Sequence, residues 1–405
     1  MQWQEISASR FRHWRFARKI SGFSPGAIVK PTWDIFCTVV DNYGDIGVTW
    51  RLARQLAAEH GLEVRLWVDD LSAFERLCPQ ADCRAERQTL QGVQVRRWAA
   101  PWLPEAPGEV VIGAFGCALP AALVDALAQQ PHPVLWLNLE YLSAEEWVEG
   151  CHGLPSPQAN GLRRWFFFPG FTEGTGGLLR EGDLLARRSA FQADPRTREA
   201  FLAQLGVQVR PDARLLSLFA YENTQLGAWL SAMAEGDQAW QVLVPEGRIV
   251  AGLCAWLGET ALAPGEVRQR GALSVQVLPF VSQEDYDRLL WSCDFNAVRG
   301  EDSFVRGQWA AAPLLWHIYV QEENAHWDKL EAFLGLYCQG LSADSEAALR
   351  GLWRAWNMDR DMAAAWLRLQ GHWAELQAHA AQWSAQQAAR PDLATALVQF
   401  YRNWI

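Results

Sequence analysis

The sequence predicts an α/β protein built from two Rossmann-like halves. Short, nearly continuous apolar runs alternate with helical stretches from Ile35 onward, the pattern of parallel strands covered on both faces. That rhythm breaks at a glycine-rich stretch, Pro169 to Gly177, and a polar region, Arg187 to Arg198, and then restarts. A chain of 405 residues also has room for two or three domains at about 100 to 200 residues each.

Residues 1–30 are basic, with Arg10, Arg12, Arg15, Arg18 and Lys19, and lack the apolar core of a secretory signal. They are expected to be a disordered leader or an upstream start rather than a functional arm. The first half, 31–185, opens on strands at Ile35 to Val40, Glu63 to Val68, Val110 to Phe115 and Pro133 to Glu140. The helix after the first strand starts near Gly47, where Val48, Leu52 and Leu56 lay a stripe against the sheet. In the second half, 186–384, strands are expected at Leu215 to Tyr221, Gln241 to Val244, Val275 to Phe280, Asp294 to Val298 and Pro313 to Tyr319. After about Ser342 the chain is helical and rich in Ala, Trp and Gln. Pro391-Asp392 opens a last helix, Leu393 to Trp404. By analogy with two-lobed α/β enzymes, this final segment, from about 385 to 405, is expected to cross back to the first half.

Composition narrows the function. Half of the residues are hydrophobic and a fifth charged, which excludes a disordered chain. A net charge of -10 argues against nonspecific nucleic-acid binding, which needs clustered Lys and Arg. Eight cysteines without a C-x-x-C pair read as reduced, mostly buried thiols of a cytoplasmic protein and not as a zinc site. No stretch approaches the roughly 18 apolar residues of a membrane span. The 23 tryptophans are expected mainly in the cores.

Two short runs carry the chemistry, each where a strand gives way to a helix. In Asp41-Asn42-Tyr43-Gly44-Asp45-Ile46-Gly47 a tight turn lets two carboxylates face one cleft. Such a pair repels itself unless a cation lies between, and a guanidinium fits both by charge and by its planar fork. Equally, Asp45 could cap the helix and Asp41 end the strand; the pair alone does not decide. It is no dinucleotide fingerprint, because Gly44 and Gly47 do not spell G-x-G-x-x-G and Asp45 would face a pyrophosphate.

The second run is Arg299-Gly300-Glu301-Asp302-Ser303, followed by Phe304, Val305 and Trp309 at helical spacing. The N–H groups of Asp302, Ser303 and Phe304 then converge on one point, a seat for phosphate. Gly300 lets a ligand approach the backbone and Arg299 can neutralise its charge. An ordinary capping box is the alternative. Phe219 and Tyr221 alternate at a strand end and could sandwich a base or simply be core. Gln283, Tyr286 and Tyr319 are aimed at the same edge, while His317 reads as structural.

Together these segments resemble the protein-arginine rhamnosyltransferases that modify bacterial translation elongation factor P. The likeness lies in Asp-Asn-Tyr-Gly-Asp-Ile-Gly-Val at 41 to 48, Asn-Leu-Glu-Tyr-Leu-Ser-Ala-Glu at 138 to 145, Phe-Phe-Pro-Gly-Phe-Thr at 167 to 172, Thr-Gly-Gly-Leu-Leu-Arg-Glu at 175 to 181 and Arg-Gly-Glu-Asp-Ser-Phe-Val-Arg at 299 to 306. It runs from Trp33 to the C-terminus.

The resemblance implies a two-lobed, metal-independent glycosyltransferase of the GT-B type, with no cofactor. It would use dTDP-β-L-rhamnose, invert the anomeric carbon, and modify a loop arginine of elongation factor P, activating that factor for ribosomes stalled at polyproline stretches. By motif, Asp41 and Asp45 would bind or activate the acceptor, with Asp45 favoured as general base and Asn42, Tyr43 and Gly44 beside it. Arg299, Gly300, Glu301, Asp302 and Ser303 fall on the donor diphosphate motif, with Glu301 counted as catalytic. Phe219, Tyr221, Gln283 and Tyr286 fall on the thymidine and sugar pocket, and Tyr319 on a further donor-side position. One departure follows Tyr319, where the family's Tyr-Pro-Gln is Tyr319-Val320-Gln321. The rival readings are a glycosyltransferase with a lipid or small-molecule acceptor and a noncatalytic nucleotide-sugar sensor.

Overall fold

The continuous apolar runs do form parallel strands. A computed structural model describes residues 30–39, 43–98 and 105–405; the leader 1–29, Asp41 and Asn42 lie outside the described residues. The first half runs β1 (Thr32–Cys37), α1 (Gly44–His60), β2 (Glu63–Val68), α2 (Leu71–Leu77), β3 (Arg87–Leu90), β4 (Val93–Arg97), β5 (Val110–Ala114) and α3 (Ala121–Ala128). It continues through β6 (Leu135–Leu139), α4 (Trp147–Cys151), β7 (Pro155–Pro157) and β8 (Arg163–Phe167). The sheet order is β3-β4-β2-β1-β5-β6-β8-β7, with only the two edge strands antiparallel.

The second half runs α5 (Leu184–Ala193), α6 (Pro195–Gln204), β9 (Arg214–Leu218), α7 (Leu226–Glu235), β10 (Trp240–Pro245), α8 (Ile249–Leu257), β11 (Val267–Arg270) and β12 (Leu273–Leu278). Then come α9 (Gln283–Ser292), β13 (Phe295–Arg299), α10 (Asp302–Trp309) and β14 (Leu314–His317), in a sheet ordered β11-β12-β10-β9-β13-β14. Helices α11 (Ala325–Tyr337), α12 (Ala343–Asn357), α13 (Met362–Gln370), α14 (Trp373–Ala388) and α15 (Leu393–Trp404) complete the chain.

In each sheet the chain adds strands to one side of its first strand and then switches to the other. The switch points lie between β1 and β5 and between β9 and β13, where open α/β sheets bind ligands. Both motif loops, β1–α1 and β13–α10, sit at these points.

Several boundaries differ from expectation for physical reasons. Strand β1 begins before Ile35 because buried Asp34 interrupts the apolar run; its carboxylate accepts from Arg65, Trp67 Nε1 at 2.8 Å and the Gly108 amide at 2.8 Å. Strands β9, β12 and β14 stop at Leu218, Leu278 and His317, so Tyr221, Phe280 and Tyr319 belong to loops beyond the strand ends. The strands missed from the sequence, β3, β4, β7 and β11, carry short or polar, partly covered runs without the continuous apolar signal, and in β8 two arginines precede its three aromatic residues. Helix α11 starts at Ala325, well before Ser342.

The tryptophans are largely core. Trp229 lies 5.1 Å from Trp356 and 5.4 Å from Trp366, which in turn meets Trp240 at 5.3 Å, all four buried behind the second sheet. Helix α15 carries Leu393, Ala394, Leu397 and Val398 into the core of the first half. The expected return of the C-terminal helix is thus present, capped by Asp392, which accepts from the Thr395 amide at 3.0 Å. Among the described residues no helix is long and apolar enough to cross a membrane.

Candidate active site

Helix α1 starts one turn earlier than the apolar stripe implied, at Gly44, and Asp45 occupies its first turn. The cap position falls to Tyr43, which makes no side-chain cap bond, so Asp45 is not the ordinary N-cap. Its side chain, 4% exposed, borders a cavity of about 780 Å³ with Phe115, Tyr141, Glu301, Trp316, Tyr319 and Lys329. Phe115 holds a positive φ of 57°, an uncommon conformation for a bulky residue, and stacks on Tyr141 at 4.9 Å. Burial, Asp45 and Glu301 together push the Tyr141 phenol pKa up, so the hydroxyl stays protonated and faces carboxylates as a donor. Asp41 and Asn42 lie outside the described residues.

Across the seam, β13 delivers Arg299 and Gly300, whose φ of +60° suits glycine, and α10 begins at Asp302. Glu301 at the cap position makes no side-chain cap bond, so the capping-box alternative is not realised and the helix start stays open to a ligand. Ser303 Oγ instead accepts from the Arg299 amide at 3.0 Å and donates to the Arg299 carbonyl, holding the turn. The Arg299 guanidinium rests on Phe219 at 4.4 Å and Tyr221 at 4.8 Å. Its Nη1 is buried without a hydrogen-bond partner. Tyr286 Oη is likewise buried in this wall, beside the Ser303 hydroxyl.

These groups line a second cavity of about 710 Å³ with Tyr43, Phe219, Phe280, Gln283, Tyr286, Arg299 and the 300–303 turn. The two cavities meet at Gly44, Gly300 and Glu301, which border both. The first sets Asp45, Glu301 and Lys329 among aromatic rings; the second presents a helix start and an unsatisfied guanidinium nitrogen beside Glu246, Glu301 and Asp302.

Glu301 is where they join. Its Oε2 accepts from the Leu142 amide at 2.9 Å. Burial lifts its pKa to about 7 against the pull of Lys329 and that amide, with Asp45 and Asp302 adding to the rise. Between 4.5 and about 7 the folded protein keeps a proton that the unfolded chain has released, so this carboxyl stabilises most at low pH and its share fades as pH rises. Glu301→Gln cannot ionise and is expected to escape that loss of about 3 kcal/mol. Thermal unfolding at pH 5 and pH 8 checks it: the variant should gain on the parent at the higher pH, and an equal gap at both would refute the assignment.

The structure brings together Tyr43, Gly44, Asp45, Phe219, Gln283, Tyr286, Arg299, Gly300, Glu301, Asp302 and Ser303 around the two cavities. It does not place Tyr221 on either wall; with β9 ending at Leu218, strand alternation does not extend to it, and it backs Arg299 instead. Tyr319 borders the Asp45 cavity and not the Arg299 one, and its ring meets Tyr221 at 5.8 Å. The Gln283 amide is spent on the other lobe, donating to the Gly47 carbonyl at 3.1 Å and accepting from Arg54 at 3.1 Å. Sequence reasoning missed Phe280, Tyr141 and Lys329; Tyr43 meets Phe280 at 5.4 Å, an aromatic pair across the seam. Among the described residues, the Glu75, Asp82 and Cys83 group could hold a metal, but it lines neither cavity.

Residues 33–402 match the sequence model of the family described as Elongation-Factor P (EF-P) rhamnosyltransferase EarP. A protein-arginine rhamnosyltransferase of Pseudomonas putida is 71% identical over 375 residues, 93% of this chain and 100% of that protein. Its counterpart in Pseudomonas aeruginosa is 59% identical over 374 residues, 92% of this chain and 100% of that one. A solved structure from work on the structural basis for EarP-mediated arginine glycosylation of translation elongation factor EF-P is 54% identical with a TM-score of 0.68, covering 93% of this chain and 100% of the other.

Proposed function

The chain belongs to the elongation factor P rhamnosyltransferase (EarP) family and is a protein-arginine rhamnosyltransferase of GT-B architecture; we propose that it moves L-rhamnose from dTDP-β-L-rhamnose to an arginine of elongation factor P, with inversion. The observation that carries this reading is the pair of adjoining cavities joined at Glu301, one bordered by Asp45 and the other by Arg299 and the α10 start. A cationic acceptor suits the first and a nucleoside diphosphate the second.

The chemical problem is that a guanidinium with a pKa above about 12 is almost wholly protonated and a poor nucleophile. Asp45, with Asp41, orients the cation for in-line attack, and Asp45 takes one N–H proton as the new C–N bond forms at the anomeric carbon. The C–O bond to the diphosphate breaks on the opposite side. The departing dTDP keeps the electron pair, and its charge is met by Arg299 and the N–H groups of Asp302, Ser303 and Phe304. That charge compensation is the job a divalent ion does in other glycosyltransferases, so the reaction needs no metal. Phe219, Phe280 and Tyr286 wall the nucleotide, with Tyr221 bracing Arg299 from behind. The reaction takes place in the cytoplasm, and the modified factor serves ribosomes stalled on polyproline.

Intact-mass analysis of elongation factor P after incubation with the protein and dTDP-rhamnose tests this. A single deoxyhexose increment located on an arginine is the expected result. Unmodified factor, with dTDP released onto a lipid or small-molecule acceptor, would overturn it in favour of another acceptor class, and dTDP-rhamnose binding without turnover would leave a sensor.

A further inference from the structure

Helix α1 carries Asp45 at one end and, less than two turns on, Arg51, which is 1% exposed. Its guanidinium reaches the second lobe: Nε lies 3.0 Å from Asp302 Oδ1, Nη2 donates to the Gln283 carbonyl at 3.2 Å, and both Nη groups meet Asp287 at 3.3 Å. Nη1 also lies 3.4 Å from Glu181. Arg306, four residues into α10, completes the cluster, gripping Asp287 through Nε at 2.8 Å and Nη2 at 2.6 Å and Glu181 through Nη1 at 2.7 Å.

The distances separate the two arginines. Arg306, Asp287 and Glu181 form a closed set of short, charge-assisted bonds. Arg51 adds only longer contacts to that set; what it supplies beyond it is a hydrogen bond to the Gln283 carbonyl and an ion pair with Asp302, a charge contact without hydrogen-bond geometry. Asp302 in turn faces two ways, since it borders the Arg299 cavity as well as Arg51. Gly47 lies between, where an added Cβ would come 3.3 Å from Gln283 Nε2 and 3.4 Å from Asp302 Oδ2. Replacing buried ion pairs by an apolar seam of the same volume is often neutral or stabilising, so stability alone does not account for the cluster.

We propose that Arg51 is a positioning residue for rhamnosyl transfer, holding Asp302 so that the α10 start and the Asp45-bearing α1 start keep one fixed separation. The proposal rests on the reading of the two cavities as acceptor and donor sites. The chemistry occurs at the junction of the cavities, where displacement of about 1 Å can cost on the order of 100-fold in rate. Within the cluster, Arg306 and Arg51 hold the Glu181 carboxyl well below its usual range against burial, whereas at Asp302 burial outweighs Arg51 and Arg306 and raises the carboxyl.

The test combines kinetics with amide exchange on the full chain. Arg51→Met is expected to lower kcat by about 10- to 100-fold while the KM for elongation factor P stays within about twofold. Combining it with Asp302→Asn should give a loss no larger than the greater single loss, the signature of one shared link. Hydrogen–deuterium exchange in the first hydrogen-bonded turns, from Val305 and from Gly47, whose amides donate to the Glu301 and Tyr43 carbonyls, should rise in both single variants with the sheets unchanged. Multiplicative losses, or unchanged exchange at both helix starts, would overturn the proposal. If Arg51→Met does not fold, Asp302→Asn decides, because it removes the charge of that ion pair while Arg51 keeps Asp287 and Glu181. Exchange does not depend on turnover, so a parent protein that fails to transfer rhamnose would refute the proposed function while leaving the latch to be judged on its own.

Discussion

Asp45→Asn is expected to abolish rhamnosyl transfer in practice, lowering kcat by roughly 10²- to 10⁴-fold, the range for loss of a positioned general base. The substitution is nearly isosteric, and Asp45 lies in the first turn of α1 without serving as its N-cap, so helix geometry should survive. The helix dipole loses one favourable carboxylate, worth about 0.3 to 1 kcal/mol, far less than the catalytic loss. Donor binding, which involves the opposite wall, should stay within about twofold. A time course of elongation factor P modification by intact mass, paired with calorimetry of dTDP-rhamnose, separates the two. Parent-like turnover would remove Asp45 as the base, and a parallel collapse of donor affinity would mean that the variant has lost the seam.

What the sequence made legible was local. Each motif is a strand, a turn and a helix start within about a dozen residues, and the chemistry of Asp45 or of Asp302 and Ser303 follows from that short geometry. What it hid was tertiary. Arg51 reads as one more charged residue on an amphipathic helix until α9 and α10 are laid against it, more than 230 residues away in sequence. Gln283, read as a pocket residue from its place just after Leu278-Pro279-Phe280 and from the family resemblance, does line the Arg299 cavity, but its amide is bound to Gly47 and Arg54 of the other lobe. Tyr141 and Lys329 come from segments with no shared periodicity and meet only at the Asp45 cavity, 5.5 Å from ammonium to ring. Buried Asp34 masked the start of β1 because a polar residue inside a strand is tolerable only with partners that a one-dimensional pattern cannot display.

Arg299→Met should be nearly as damaging as loss of the base, for the opposite reason. The guanidinium is 8% exposed, is held on the Phe219 and Tyr221 rings, and carries a buried Nη1 without a partner. His317 beside it adds no second positive charge: burial, with Arg299 adding to it, depresses the imidazole to about 4, so it is neutral at pH 7. A cation kept in this state is costly in the empty protein and is relieved when a diphosphate arrives. Methionine keeps most of the packing volume and removes the charge. Transfer should therefore fall by about 10²- to 10³-fold through lost stabilisation of the leaving group, with donor affinity falling as well. The same reasoning fixes a thermal signature. Saturating dTDP at about 100 times its Kd should stabilise the parent by about 2.7 kcal/mol through mass action. The variant should melt no lower than the parent without ligand and respond far less to dTDP. A variant that melts lower when empty and still gains the full dTDP shift would show that Arg299 braces the aromatic wall and does not meet the phosphate.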